Sequence, residues 1–261
     1  MDLNGKRALV TGASSGLGAD FARQLAALGC ALVLVARRET ELQALAEDLR
    51  KDHGVDVRVI PLDLLAPEAD AHLQAQLASE GLSIDILVNN AGFGLFGAHR
   101  DLSWTRERDM MRLDMELVVS LTKHFAEGMV TRGWGRILNV SSIGAFQPTP
   151  TYAVYSAAKA FVLSYSEAFA AELAGTGVTV TALCPGITAT EFLKVSGQKA
   201  TLYQRLLMME SPAVTRIGLR AMLTGRRSIV PGLANTLTAW GTRLMPRRVQ
   251  TWVAYQVMKN A

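Results

Sequence analysis

Cysteine is almost missing. Cys30 and Cys184 are the only two in 261 residues, far apart and in no CxxC pair. A disulfide framework is excluded, and two free, buried thiols in a reducing cytosol are expected. A chain this long buries roughly 70–75% of its unfolded surface, so it needs neither disulfides nor metal to fold; no metal site is expected. Charge of one sign is scarce as well: 27 Lys and Arg against 23 Asp and Glu, net +4. With 49% hydrophobic and 19% charged residues, the chain is no disordered polymer. A nucleic-acid binder would gather its excess charge in a stripe. Here the Arg pairs are scattered (Arg37–Arg38, Arg226–Arg227, Arg247–Arg248), and no nucleic-acid partner is expected. Long apolar runs are absent too. The longest uncharged candidate, Ser228–Thr242, is short and broken by Pro231, Gly232, Asn235 and Gly241, so no membrane span is expected. The start, MDLNGKRALVTG, lacks an apolar signal core behind a basic end. The expected location is cytoplasmic.

What is present is alternation. Short β-rich runs are Arg7–Val10, Ala31–Val35, Val55–Ile60, Ile84–Val88, Arg136–Val140, Val178–Leu183 and Ser228–Val230. Most are nearly continuous apolar stretches, the reading of strands buried on both faces of a parallel sheet. Helical patterns lie between them. Glu39–Lys51 puts Leu42, Leu45, Ala46 and Leu49 on one face, and Gly54 suits a stop. Pro67–Ser79 follows, with Pro67 suited to a first turn. Longer patterns cover Trp104–Arg132 and Tyr152–Ala174. Such alternation predicts an α/β fold, a doubly wound parallel sheet with right-handed crossovers. No linker or repeat appears, so residues 1–261 read as one domain. From Lys199 the rhythm changes into a C-terminal helical extension (199–261), a lid and tail, with helices expected over Thr201–Glu210 and Pro212–Thr224.

The first strand runs into Gly12-Ala13-Ser14-Ser15-Gly16-Leu17-Gly18. Gly12 permits a tight turn, Gly16 lets backbone approach a pyrophosphate, and Gly18 allows close helix–strand packing. The helix that follows offers unpaired N–H groups and a partial positive charge to phosphates. A dinucleotide site is the expectation.

The spacing TGxxxGxG resembles the short-chain dehydrogenase/reductase superfamily. Further residues match it in order: Asn89-Asn90-Ala91-Gly92 after the fourth strand, Ser142, then Tyr155-Ser156-Ala157-Ala158-Lys159, and Pro185-Gly186 after the sixth strand. The resemblance runs from Lys6 to Phe192. It implies a Rossmann fold and a nicotinamide dinucleotide. It also implies that Asp63, followed by Leu64, accepts a bond from the adenine amino group, with a helix cap as the bland alternative. Asn90, Ala91 and Gly92 would lie beside the adenine ribose. Ile187, Thr188 and Thr190 look like the segment that holds the carboxamide. The second strand ends Val35-Ala36-Arg37-Arg38, with no acidic residue to accept a ribose 2′-hydroxyl. A guanidinium can clamp a 2′-phosphate instead. NADPH/NADP+ is therefore the expected cofactor, with Arg37 its main contact and Arg38 or Ser14 assisting.

Tyr155 and Lys159 are four apart in a helical pattern and share a face. A phenol with a pKa of about 10 is a poor shuttle at neutral pH. A nearby ammonium and a positive nicotinamide ring favour the phenolate and lower that value, which makes an acid/base of the pair. Lys159 would also hold the nicotinamide ribose, and Ser142 the substrate oxygen. Ser141 rivals Ser142. Tyr152 lacks a lysine four residues on and reads as pocket lining. One position departs from the family: Asp114 stands where Asn is usual, adding a carboxylate near Lys159 and a fourth catalytic candidate.

The loops at the strand ends are apolar. Phe93, Leu95, Phe96, Ile143, Phe146, Tyr152, Phe192 and Leu193 suggest a pocket for a hydrophobic ketone, aldehyde or 3-oxoacyl carbonyl; Leu206, Leu207, Met208 and Met209 suit a flexible lid. No arginine stands out as a carboxylate clamp. Physiological alcohol oxidation with the same site is the first alternative; a non-catalytic NADPH sensor or scaffold is the second. A homodimer or homotetramer is expected. The tail mixes Trp240, Leu244, Trp252 and Tyr255 with Arg243, Arg247 and Arg248, which suits either an oligomer contact or peripheral contact with an anionic membrane.

Overall fold

A computed structural model describes residues 2–198 and 208–258. The apolar runs become strands with little exposed side chain. β1 (Arg7–Thr11) and β2 (Ala31–Ala36) are almost wholly buried, and β4 (Ile86–Asn89) wholly so. Side chains alternate between faces, so one strand feeds two cores. Ala8 and Val10 join Leu32, Leu34 and Phe21 on one side. Leu9 joins Val33, Val35, Leu87 and Leu121 on the other. Each fully buried Leu or Val contributes about 1.5–3 kcal/mol over an exposed one.

Seven strands pair in the order β3-β2-β1-β4-β5-β6-β9, every pair parallel. The others are β3 (Val57–Pro61), β5 (Gly135–Val140), β6 (Val178–Leu183) and β9 (Ser228–Ile229). The order reverses between β1 and β4. In open α/β sheets a crevice for ligands forms beyond the carboxyl ends at such a point. A separate two-stranded parallel ribbon joins β7 (Thr188–Ala189) to β8 (Met209–Glu210). The doubly wound sheet is as the alternation predicts. Strand ends differ by up to two residues; β3, for example, begins at Val57 rather than Val55.

The helices are α1 (Gly16–Ala26), α2 (Glu39–His53), α3 (Ala69–Ser79), α4 (Trp104–Met111), α5 (Leu117–Thr131), α6 (Ala153–Glu172), α7 (Phe192–Ser196), α8 (Ser211–Leu223), α9 (Leu233–Gly241) and α10 (Arg247–Met258). α2 buries Leu42, Leu45, Ala46 and Leu49 as spaced, and stops at Gly54, whose φ of 66° is left-handed.

Three expectations fail. Pro67 precedes α3 instead of opening it, because Glu68 takes a left-handed φ of 54° and breaks the run. The Trp104–Arg132 pattern is not one helix: Arg112–Glu116 forms a π-helical turn between α4 and α5. Of the expected helix Thr201–Glu210, residues 201–207 lie outside the described residues, and Met209–Glu210 is strand because its backbone pairs with Thr188–Ala189. The lid candidates Leu206 and Leu207 also lie outside the described residues, while Met209 packs against the core.

Candidate active site

The glycine loop and the loop after β4 meet across the switch point. Thr11 Oγ1 donates to the Val88 carbonyl (3.3 Å) and accepts from the N–H groups of Asn90 and Ala91 (3.0 Å each). Asn90 Nδ2 returns a bond to the Thr11 carbonyl (2.9 Å). A Cβ on Gly12 (φ 67°) would lie 2.8 Å from Asn90 Nδ2, and one on Gly16 (φ 54°) 3.3 Å from Thr190. Gly18 is different. It is buried, off the cleft surface, and its Cβ would sit 2.2 Å from the Gly12 carbonyl oxygen. Its absence of a side chain serves packing.

These loops open a cavity of about 670 Å³ at the carboxyl ends of the strands. At one end it is lined by Gly12, Ser14, Ser15, Gly16, Leu17, Arg37, Arg38, Asp63, Leu64, Asn90, Ala91 and Gly92. Pro185, Gly186, Ile187, Thr188 and Thr190 line it beyond β6. α1 has neither a side-chain cap nor an acidic residue in its first turn, so none of its own side chains occupies its N-terminal N–H groups. The cradle fits a dinucleotide pyrophosphate. Asp63 Oδ1 accepts from Leu65 N–H (3.0 Å); it shapes a turn at the cleft edge and caps no helix.

Arg38 and Arg37 behave differently. Arg38 Nη2 donates to Ser14 Oγ (3.1 Å) and Ser15 Oγ (2.6 Å), and the guanidinium pairs with Glu41 (3.6 Å) and Glu191 (3.4 Å). Arg37 is exposed and forms no ion pair among the described residues.

The proposed catalytic side chains converge deeper in the cavity. β5 ends before Ser141 and Ser142, which diverge as neighbours on extended backbone do. Ser141 Oγ donates to the Lys159 carbonyl (2.7 Å) and is structural. Ser142 Oγ accepts from Gly144 N–H (3.1 Å), so its proton is free to point at a ligand. α6 carries Tyr155 and Lys159 into the same space. Lys159 Nζ donates to the Val140 carbonyl (3.1 Å), pairs with Asp114 Oδ2 (3.4 Å), and lies 5.6 Å from the Tyr155 ring centre. Asp114 sits in the π-helical turn, fully buried, and neither carboxyl oxygen has a hydrogen-bond partner of normal geometry. Gly92 makes room: a Cβ there would lie 2.3 Å from Asp114 Oδ1.

Burial raises the Asp114 carboxyl from 3.8 to about 6, against the pull of Lys159. The Tyr155 phenol is pushed well above its ordinary value, first by burial and then by the Asp114 charge; the Ser142 hydroxyl only partly opposes this. The expected lowering involves a positive nicotinamide ring as well as Lys159; among the protein's own groups, burial first and the Asp114 charge second act the other way.

Aromatic rings close the other wall. Tyr155 packs against Tyr152 (5.5 Å between centres) and Phe192 (5.4 Å). Tyr152 is tied down: its hydroxyl donates to Gln198 Oε1 (3.0 Å) and lies 2.9 Å from Ser196 Oγ. Phe93, Ile143, Leu193 and Phe192 line the cavity as expected. Leu95, Phe96 and Phe146 do not. Leu95 is buried in the protein, and Phe96 stacks behind Tyr152 at 5.4 Å, so its ring supports the wall without reaching its surface. Phe146 closes the short turn after Ser142, whose earlier residues Ile143 and Gly144 take the cavity face. Sequence reasoning missed Gln198 and Met258, which reach the cavity from loop and tail, and Glu191. It also missed Arg106, which lines the cavity beside Phe93 with its guanidinium 5.7 Å from that ring. Only its place four residues before Met110, in an apolar–polar helix pattern, marked it.

Known proteins share this fold. Residues 6–201 match the family described as short chain dehydrogenase. 17-beta-hydroxysteroid dehydrogenase type 3 of Mus musculus is 32% identical over 82% of this chain and 70% of its own length. The 7beta-hydroxysteroid dehydrogenase of Collinsella aerofaciens is 33% identical over 72% of this chain and 71% of its own. Among solved structures, a short-chain dehydrogenase from Sphingobium yanoikuyae in complex with NADPH superposes with a TM-score of 0.82 at 32% identity, covering 94% of this chain and 98% of that one. The chain belongs to the short-chain dehydrogenase/reductase family. It is an oxidoreductase with a Rossmann-type nicotinamide dinucleotide site.

Proposed function

We propose that this enzyme reduces a hydrophobic ketone, aldehyde or 3-oxoacyl carbonyl at the expense of NADPH. What supports the reading is the place of the half-buried Tyr155 phenol, whose pKa desolvation raises, beside Ser142 at the end of an apolar cleft. A carbonyl being reduced needs a proton donor, and a phenol held protonated is one. Ser142 and Tyr155 hold the carbonyl oxygen as charge develops. Tyr155 gives that oxygen its proton, and Lys159, anchored by Val140 and Asp114, fixes the nicotinamide ribose. The cofactor, when bound, supplies the hydride. Phe93, Ile143, Tyr152, Phe192, Leu193 and Met258 exclude water and favour an apolar substrate. For the cofactor, Arg37 and Arg38 stand where an acidic residue would select NAD. Unpaired Arg37 is the 2′-phosphate clamp, and Arg38 orders the Ser14–Ser15 turn. We read residues 1–261 as one catalytic unit that works in the cytoplasm as a homodimer or homotetramer.

The test is NADPH consumption across hydrophobic ketones, aldehydes and acyl thioesters, beside NADP+ reduction by the matching alcohols. Turnover of at least one carbonyl, faster with NADPH than NADH, is expected. Tight NADPH binding with no turnover in either direction would favour the sensor or scaffold reading.

A further inference from the structure

The C-terminal helices present apolar side chains that no described residue covers. Leu233, Leu237 and Trp240 are spaced i, i+4, i+7 on α9, and Leu244 continues the stripe one turn on; they are 76%, 64%, 62% and 89% exposed. At about 100° per residue the three on the helix fall within a sector of roughly 60°, and Leu244 follows in the 3-10 turn Thr242–Leu244. α10 buries Gln250 and Ala254 against the protein and turns Val249, Trp252 and Tyr255 outward. Apolar side chains are common on surfaces singly, but seven exposed ones within residues 233–255, two of them tryptophans, mark a contact site.

Charge says what the partner is. Residues 211–261 contain eight Lys and Arg and no Asp or Glu. Arg243, Arg247 and Arg248 are exposed among the apolar residues, and the Arg243 guanidinium lies 4.7 Å from the Trp240 ring centre. A second copy of the chain docked through this face would bring two sets of these arginines together with no acidic residue of either segment to offset them. An anionic lipid surface matches both features at once: phosphates for the arginines, the headgroup boundary for Trp and Leu. We propose that α9 and α10 form a peripheral docking surface for an anionic phospholipid bilayer. No helix among the described residues is long and apolar enough to cross a membrane, so the contact is interfacial. The docking helix also reaches the active cleft, because Met258 lines it.

The experiment is co-sedimentation of the whole protein with vesicles of phosphatidylglycerol and phosphatidylcholine, and with vesicles of phosphatidylcholine alone. Binding to the first, little to the second, and loss in high salt are expected. With each surface cation worth about 1 kcal/mol, the triple change Arg243→Gln, Arg247→Gln, Arg248→Gln should weaken binding on the order of 100-fold. Leu237→Gln with Leu244→Gln should abolish the blue shift of tryptophan emission that lipid produces. None of these side chains lines the cleft, so turnover of a water-soluble ketone should be unchanged. Failure to sediment with anionic vesicles at low salt would overturn the proposal. So would a solution dimer that the leucine changes dissociate while vesicle binding is absent or unaffected.

Discussion

Replacing Asp114 with Asn removes a titrating group and little volume. In the native protein burial holds this carboxyl at about 6 against an ordinary 3.8. Below about pH 4 it is protonated whether the chain is folded or not, and folding does not depend on pH through it. Between pH 4 and 6 the unfolded chain loses the proton and the native one keeps it. The native state then binds more protons, so stability falls as pH rises, and the loss is complete above about pH 6. The span from 3.8 to about 6, at roughly 1.4 kcal/mol per unit, amounts to about 3 kcal/mol. Urea unfolding of both proteins from pH 4 to 8 isolates it. The native protein's stability relative to Asp114→Asn should decline by about 3 kcal/mol across that window and then level off. The pH–rate profile should lose its inflection near pH 6 in the variant. A stability difference independent of pH would refute the buried, proton-holding carboxyl. An unchanged profile would exclude an effect of Asp114 on the reaction.

Arg37→Gln should raise KM for NADPH by roughly 10–100-fold, the worth of hydrogen bonds to a charged group, and leave KM for NADH unchanged; parallel titrations of the two cofactors check this. Gly18→Ala drives a Cβ into the Gly12 backbone, and rigid backbone cannot yield, so a loss of roughly 3 kcal/mol is expected. Thermal unfolding should show it as a Tm lower by about 10 °C. Tyr152→Phe removes a hydroxyl bonded to Gln198 and close to Ser196; kcat should persist while KM for bulky ketones changes, separating it from Tyr155 in steady-state kinetics.

Local chemistry was the legible part of this chain. The strand runs, the glycine loop and the Tyr155–Lys159 spacing each rest on residues within one element, and each falls where its pattern puts it. What was hidden is non-local or sub-periodic. A π-helical turn widens the backbone at Arg112–Glu116 without disturbing the apolar spacing on either side, so Trp104–Arg132 still reads as one helix. The Arg38–Glu191 pair joins positions far apart in sequence across the cleft mouth. Phe96 and Leu95 have the composition of a pocket wall, but which side of the wall an apolar side chain takes depends on Tyr152 and Ser196, packed from other elements. The upward push on Tyr155 has the same origin, with burial set by packing from several elements first and the Asp114 charge second. The Asp114 carboxylate that pairs with Lys159 arrives from a different helix, through space that only Gly92 leaves open.

The account turns on Tyr155 as the proton donor, and Tyr155→Phe tests that with the loss of one oxygen. NADPH binding, followed by fluorescence, should stay near that of the native protein while carbonyl reduction falls by at least about 100-fold, the lower end of what a positioned acid contributes. Retained NADPH binding with near-native reduction would contradict it.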